Sequence, residues 1–127
     1  MQTNTPEYGL DELVKVVIGS AYEVSKSLKC GFLEKVYERA LVRELERRGL
    51  QADQQVPYPI EYKEVAIENY VADMVVEGRI IVALKCVDSF SDEHIAQALN
   101  YLRAANLKLA LLINFQKPKL EWKRIIL

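Results

Sequence analysis

Residues 70–87 read YVADMVVEGRIIVALKCV. Two apolar runs flank Glu77-Gly78-Arg79, which predicts two buried strands joined by a tight loop. Each run carries a charge that a buried strand does not require: Asp73 in the first, Lys85 in the second. An unpaired buried charge costs several kcal/mol or shifts its pKa, so both residues need partners or a function.

Side-chain alternation then constrains the hairpin. Ala83 and Lys85 are two apart and share a face. Asp73 shares that face only when it stands opposite an odd-numbered residue. A two-residue turn at Glu77-Gly78 pairs 76 with 79 and 73 with 82, which points Lys85 away from Asp73. A three-residue loop, Glu77-Gly78-Arg79, pairs 76 with 80 and 73 with 83. The three-residue loop is expected, with Gly78 at positive φ or an equivalent bulge.

Outward from this hairpin the chain reads in both directions. Residues 1–7 are polar and are expected to fray. From Leu10 an apolar stripe at spacings of three and four runs through Val14, Val17, Ala21, Val24 and Leu28, a first helix that Lys29-Cys30-Gly31 breaks. A second starts near Leu33, carries Arg47 and Arg48 in its last turn, and ends at Gly49. Residues 54–62 alternate, with Val56, Tyr58, Ile60 and Tyr62 on one face. Pro57 and Pro59 confine this strand to a sheet edge. Ser91-Asp92-Glu93 predicts a helix start, and the helix runs to about Ala105. Residues 107–115, LKLALLINF, read as a buried strand. A helix between two buried strands implies a right-handed parallel crossover. A last strand follows Pro118.

Length and composition set limits. The 127 residues make one domain, residues 1–127, and 50% are apolar, enough for a core. A net charge of −1 provides no global positive field, so any nucleic-acid contact must be local. Cys30 and Cys86 have no metal-ligand spacing and read as buried thiols in a reducing compartment. No basic leader and no apolar run of the ~20 residues a membrane span needs is present, so a soluble, cytoplasmic protein is expected.

Gly31-Phe32-Leu33-Glu34-Lys35-Val36-Tyr37 fits G-x-x-E-x-x-Y. With VYERAL, QVPYPIEYK, YVADMVVE, HIAQALNYL and LLINF in order, the sequence resembles the GxxExxY family of PD-(D/E)XK nuclease-like proteins. The likeness runs from the first helix almost to the C-terminus. It implies a restriction-endonuclease-like core of the α/β (α+β) class. A mixed sheet of four or five strands would be flanked by helices in the order α-α-β-β-β-α-β-β.

The resemblance also implies a chemistry: hydrolysis of DNA or RNA phosphodiesters with Mg²⁺ or Mn²⁺. Carried onto these residues, Asp73 is a metal ligand and Lys85 the catalytic lysine. The acid that should precede this lysine by two positions is missing, because the triplet is Ala83-Leu84-Lys85. A methyl group binds no metal, so weak metal binding and impaired activity are expected. Glu34 is the best substitute ligand; its competing reading is a helix cap, with Gly31 as N-cap and Glu34 at the capping-box position. Asp88 faces away from Lys85 in a regular strand. Gln97 and Tyr101 match the Q-x-x-x-Y motif of RecB-like members and share a helix face, for substrate contact or plain packing. His94 lies on the same stripe and reads more simply as structural.

Other readings remain open at this stage. Asp73 and Lys85 also suit a salt bridge between neighbouring strands. Lys117, Lys119, Lys123 and Arg124 suit phosphate contact or a solvated surface. The fold can also serve without catalysis, holding nucleic acid or a protein partner, with a homodimer among the options.

Overall fold

The structure, a computed structural model, describes residues 9–127. The expectation of a frayed start at residues 1–7 lies outside the described residues. The elements follow the expected order: α1 (Leu10–Leu28), α2 (Glu34–Arg47), β1 (Ala52–Tyr62), β2 (Val65–Val76), β3 (Ile80–Lys85), α3 (Asp92–Ala105), β4 (Leu109–Asn114) and β5 (Glu121–Ile126). The strands form one five-stranded sheet in the order β1-β2-β3-β4-β5. β3 and β4 are parallel with α3 as their crossover; the other neighbours are antiparallel. The proline-bearing β1 sits at the edge, where missing N–H groups break no second ladder. Among the described residues no helix is long and apolar enough to cross a membrane.

The sheet divides two apolar layers. Ile80, Val82 and Leu84 of β3 pack with Leu13 and Val17 of α1 and Leu41 and Leu45 of α2. Ile81 and Ala83 pack on the other side with Ala98 and Leu102 of α3. Ala72 and Ala110 join Ala83 and Ala98 in that second layer, so short side chains face each other between α3 and the sheet. Two helices therefore cover one face and a single helix the other.

The β2–β3 loop has the register that Asp73 and Lys85 demand. Val76 stands opposite Ile80, and Met74 opposite Val82. Gly78 has φ +65° and Glu77 φ +55°, so the loop uses two left-handed residues. Glu77 is held there from both ends. Its N–H donates to the Gln51 carbonyl at 2.8 Å, and its carboxylate accepts from the Gln51 N–H.

Two irregularities depart from the simple alternation. The β1–β2 ladder passes from Gln54↔Met74 to Val56↔Ala72 without pairing Gln55 and Asp73. Gln55 has φ +52°, a conformation costing roughly 1–2 kcal/mol outside glycine. In consequence Ala72 and Val75, three apart, face the same layer. The register itself shifts between Ile60 and Glu61. This shift turns Tyr62 out of line with Val56, Tyr58 and Ile60 and leaves it 61% exposed, against the sequence expectation.

Two local expectations are also corrected. Leu33, not Gly31, is the N-cap of α2, so Glu34 is the first helical residue and not a capping-box acid. Neither cysteine is in a disulfide, but Cys30, in the α1–α2 connection, is exposed and Cys86, just past β3, is half-buried.

Candidate functional site

β2 and β3 separate after Met74↔Val82. Past that point the β3 edge still presents backbone N–H groups, and buried donors require acceptors. Two side chains supply them. Leu84 N–H donates to Asp73 Oδ2 at 2.9 Å, and Cys86 N–H donates to Glu34 Oε2 at 3.1 Å. Donors two residues apart on a strand are spaced by about 6.6 Å. The two carboxylates thus stand side by side on β3, bonded to the residues before and after Lys85. Lys85 Nζ donates to Gln97 Oε1 on α3 at 2.9 Å.

The skipped pairing at Gln55 and Asp73 explains how Asp73 reaches this place. A regular strand would project its side chain from a face of the sheet. Released from the β1 ladder, Asp73 turns its carboxylate into the plane of the sheet, onto a backbone donor of β3. Burial pushes its pKa above the ordinary value, and the Glu38 and Glu34 carboxylates add to the rise. The bond from Leu84 and the charge of Lys85 pull the other way without cancelling it. Tyr101 is also raised, first by burial and then by the Asp73 charge, with a smaller contribution from Tyr70. Its ring meets Tyr70 edge to face at 5.5 Å.

The G-x-x-E-x-x-Y stretch is the device that delivers Glu34. Gly31, at φ +117°, turns the chain between α1 and α2. Tyr37 is fully buried and stacks on Phe115 with centroids 4.7 Å apart. Its hydroxyl donates to the Lys29 carbonyl and accepts from Phe32 N–H at 3.2 Å. The loop is clamped from within, and the first turn of α2 is set over Cys86.

Glu38 is the residue that sequence reasoning missed. Its side chain is 5% exposed and accepts from Lys35 Nζ at 3.2 Å. It also accepts from Gln54 Nε2 at 2.8 Å and Gln55 Nε2 at 3.2 Å. It therefore holds the strained, unpaired Gln55 opposite Asp73. The available signal was its spacing: Glu38 follows Glu34 by four, one turn along the same helix face.

The remaining candidates separate. His94 Nδ1 accepts from Ser91 N–H at 3.0 Å while Ser91 Oγ accepts from His94 N–H at 3.3 Å, a reciprocal cap for α3. Asp88 accepts from Gln116 Nε2 at 2.9 Å, outside the cluster. Lys117 is 3.7 Å from Glu121, and Arg124 is 3.0 Å from Asp11, so half of the basic cluster is paired with acids. Ala83 is 2% exposed, within the layer beneath α3.

Asp73 and Glu34 each keep one carboxylate oxygen that is not bonded to β3. Two hard oxygen donors suit Mg²⁺ or Mn²⁺, which can bind through one or two carboxylates and retain waters. Among the described residues, no three His, Cys, Asp or Glu side chains gather as a ready-made cage.

A family model described as the PD-(D/E)XK nuclease superfamily matches residues 11–125. Among solved structures, the chain is similar to one titled "Crystal structure of SSO0001", with a TM-score of 0.57 and 18% identity. That likeness covers 91% of this chain and 58% of the other, so the chain spans less than two thirds of that structure; at this identity it shows the fold alone. No curated protein matches. The family match covers both helices before the sheet and reaches the last strand. The chain belongs to the PD-(D/E)XK nuclease superfamily.

Proposed function

We propose that this chain is a GxxExxY-type protein whose Asp73, Glu34 and Lys85 form a site for phosphodiester hydrolysis in DNA or RNA, impaired by Ala83. The observation that carries the reading is the pair of carboxylates bonded to the N–H groups on either side of Lys85. A purely structural bridge between strands would direct Lys85 at Asp73. Its ammonium is directed instead at the Gln97 carbonyl.

In this reading Lys85 presents its charge to a phosphate oxygen and offsets negative charge that develops in the transition state. Gln97 orients Lys85 through its carbonyl and retains its amide N–H groups for the phosphate. Asp73 and Glu34 are held by β3 and would bind the divalent ion. When bound, Mg²⁺ or Mn²⁺ supplies Lewis-acid polarisation of the phosphoryl group. Ala83 leaves the ligand set one carboxylate short of the superfamily pattern.

The test is cleavage of labelled DNA and RNA by the protein and by Ala83→Glu, with Mg²⁺, with Mn²⁺ and with chelator. Metal-dependent cleavage by Ala83→Glu, abolished by adding Lys85→Ala, is expected. A second reading has its own observation. Position 83 is closed over by packing with Ala98 and Leu102, as befits a binding module that no longer catalyses. Folded Ala83→Glu without cleavage of either nucleic acid would favour that module, acting alone or as a homodimer.

A further inference from the structure

A groove leaves the site along α3, and its chemistry differs from that of the site. Gln97, bonded to Lys85, and Tyr101 line its near end, opposite Tyr70 of β2; this part encloses about 530 Å³. A second hollow of about 580 Å³ shares Tyr70 and Asn100 with the first and continues between α3 and β1 to Arg103. The charged side chains of the combined lining are Arg103, Glu61 and Glu93, a net negative set. The rest of its polar lining is neutral: phenols and the amides of Asn69, Gln97 and Asn100.

A groove that tracks phosphates needs rows of lysine and arginine. This one has a single cation, which already donates to Asn100 Oδ1 at 3.0 Å. Aromatic rings and neutral amides are the partners of unpaired bases, which stack and present hydrogen-bonding edges, so the groove suits bases while their phosphates need cations outside it. From Glu93 to Ala104 the helix advances about 16 Å. That is less than half of a duplex turn of about 34 Å and suits a short unpaired run. We infer that the groove between α3 and the β1–β2 hairpin binds unpaired bases flanking the bond to be cut, so that the substrate is single-stranded nucleic acid or a duplex with a single-stranded end. The inference rests on the nuclease reading for the position of that bond, but base binding is measured separately from cleavage.

The experiment is fluorescence anisotropy in chelator with short labelled single strands and the matching blunt duplex. Single strands are expected to bind about tenfold more tightly than the duplex. Tyr70→Ala should weaken single-strand binding by about tenfold and leave duplex binding unchanged. Asn100→Ala, on the helix side of the groove, should weaken it about threefold with an unchanged melting temperature, which covers the case of a misfolded Tyr70 variant. Lys119→Ala, outside the groove, should preserve the preference. Equal affinity for duplex, or full single-strand affinity in folded Asn100→Ala and Tyr70→Ala, overturns the inference. Single-strand binding without cleavage by Ala83→Glu keeps the groove and removes the nuclease reading. Cleavage by Ala83→Glu without any single-strand preference does the reverse.

Discussion

Glu34 at the start of α2 accepts a hydrogen bond from the backbone N–H of Cys86, just past the end of β3. A helix is thereby tied to the strand end that carries Lys85, through a bond that β2 would have made had it continued alongside. The same substitution of side chain for strand occurs at Leu84, where Asp73 is the acceptor. The site is built out of a gap in the sheet, and its two acids are placed by the backbone that the gap leaves unpaired.

Glu34→Gln tests what the carboxylate adds beyond its bond. The amide carbonyl can still accept from Cys86, so stability should change by about 0.5 kcal/mol or less. A rise in melting temperature with Mg²⁺, measured in the Ala83→Glu background, should shrink sharply because a neutral amide is a poor ligand for a hard cation. An undiminished metal response in Glu34→Gln would place the ion elsewhere.

Glu38 should behave in the opposite way. Removing it as Glu38→Ala strands the Gln54 and Gln55 amides and releases the strained Gln55 backbone. The expected loss is about 3 kcal/mol, read as a lower urea midpoint at unchanged slope. Glu38→Gln keeps the volume and one acceptor and should cost about 1 kcal/mol. Since Glu38 raises the pKa of Asp73, the Gln variant should also titrate Asp73 at lower pH, a shift that carboxyl NMR can follow.

The pH dependence of Asp73 has a definite sign. Burial raises its folded pKa above the ordinary 3.8, and the folded state therefore holds its proton longer than the unfolded chain does. Its contribution to stability is fully present below 3.8 and is lost as pH rises through the folded value. At neutral pH the charged carboxylate is a local cost. Asp73→Asn, whose carbonyl can still accept from Leu84, should melt higher than the parent at pH 7, with the gain fading as pH falls toward 3.8. A variant that melts lower at pH 7 and equally at acid pH would mean that Asp73 is a structural ion-pair partner after all.

These residues also mark how far the sequence could be read. The loop at Glu77-Gly78-Arg79 follows from parity, since residues 73 and 85 share a face in no other simple register, and Val76 does pair with Ile80. The helix carrying Gln97 and Tyr101 follows from spacing and from the Ser91 cap. Glu38 was legible only as a residue on the Glu34 face of its helix, not as a buried acceptor. A glutamate among Arg39, Arg43 and Glu44 looks like solvent-facing helix until β1 is laid across it. The skipped pairing at Gln55 was not legible either, because a Gln-Gln pair within an alternating strand carries no turn chemistry. The half-buried place of Cys86 depends on where β2 leaves β3. Long-range pairing decides all of these, and no local pattern encodes it.

Position 83 decides between the two functional readings, and the structure sharpens its prediction. Continuing the β2–β3 register places Ala83 opposite Asp73, but its methyl group lies in the layer where Ala72, Ala98 and Ala110 face one another. A glutamate there must displace part of that packing and bring a further carboxylate toward Asp73, whose pKa burial and the nearby Glu38 and Glu34 already raise. Without metal, Ala83→Glu should therefore lose stability, by about 2–4 kcal/mol from overpacking and like-charge repulsion together. A divalent ion relieves the repulsion only when it binds, and a ligand of the folded state stabilises it by about 2.7 kcal/mol at a hundred times its dissociation constant. Millimolar Mg²⁺ or Mn²⁺ should then recover much of the loss in Ala83→Glu and do little for the parent. Lys85→Ala added to Ala83→Glu should deepen the metal-free loss, since Lys85 is the cation that lowers the pKa of Asp73. Thermal melts of the proteins with metal and with chelator separate the outcomes. Equal metal responses in parent and variant would show that position 83 is packing and no longer a ligand position, which is the result the binding-module reading requires.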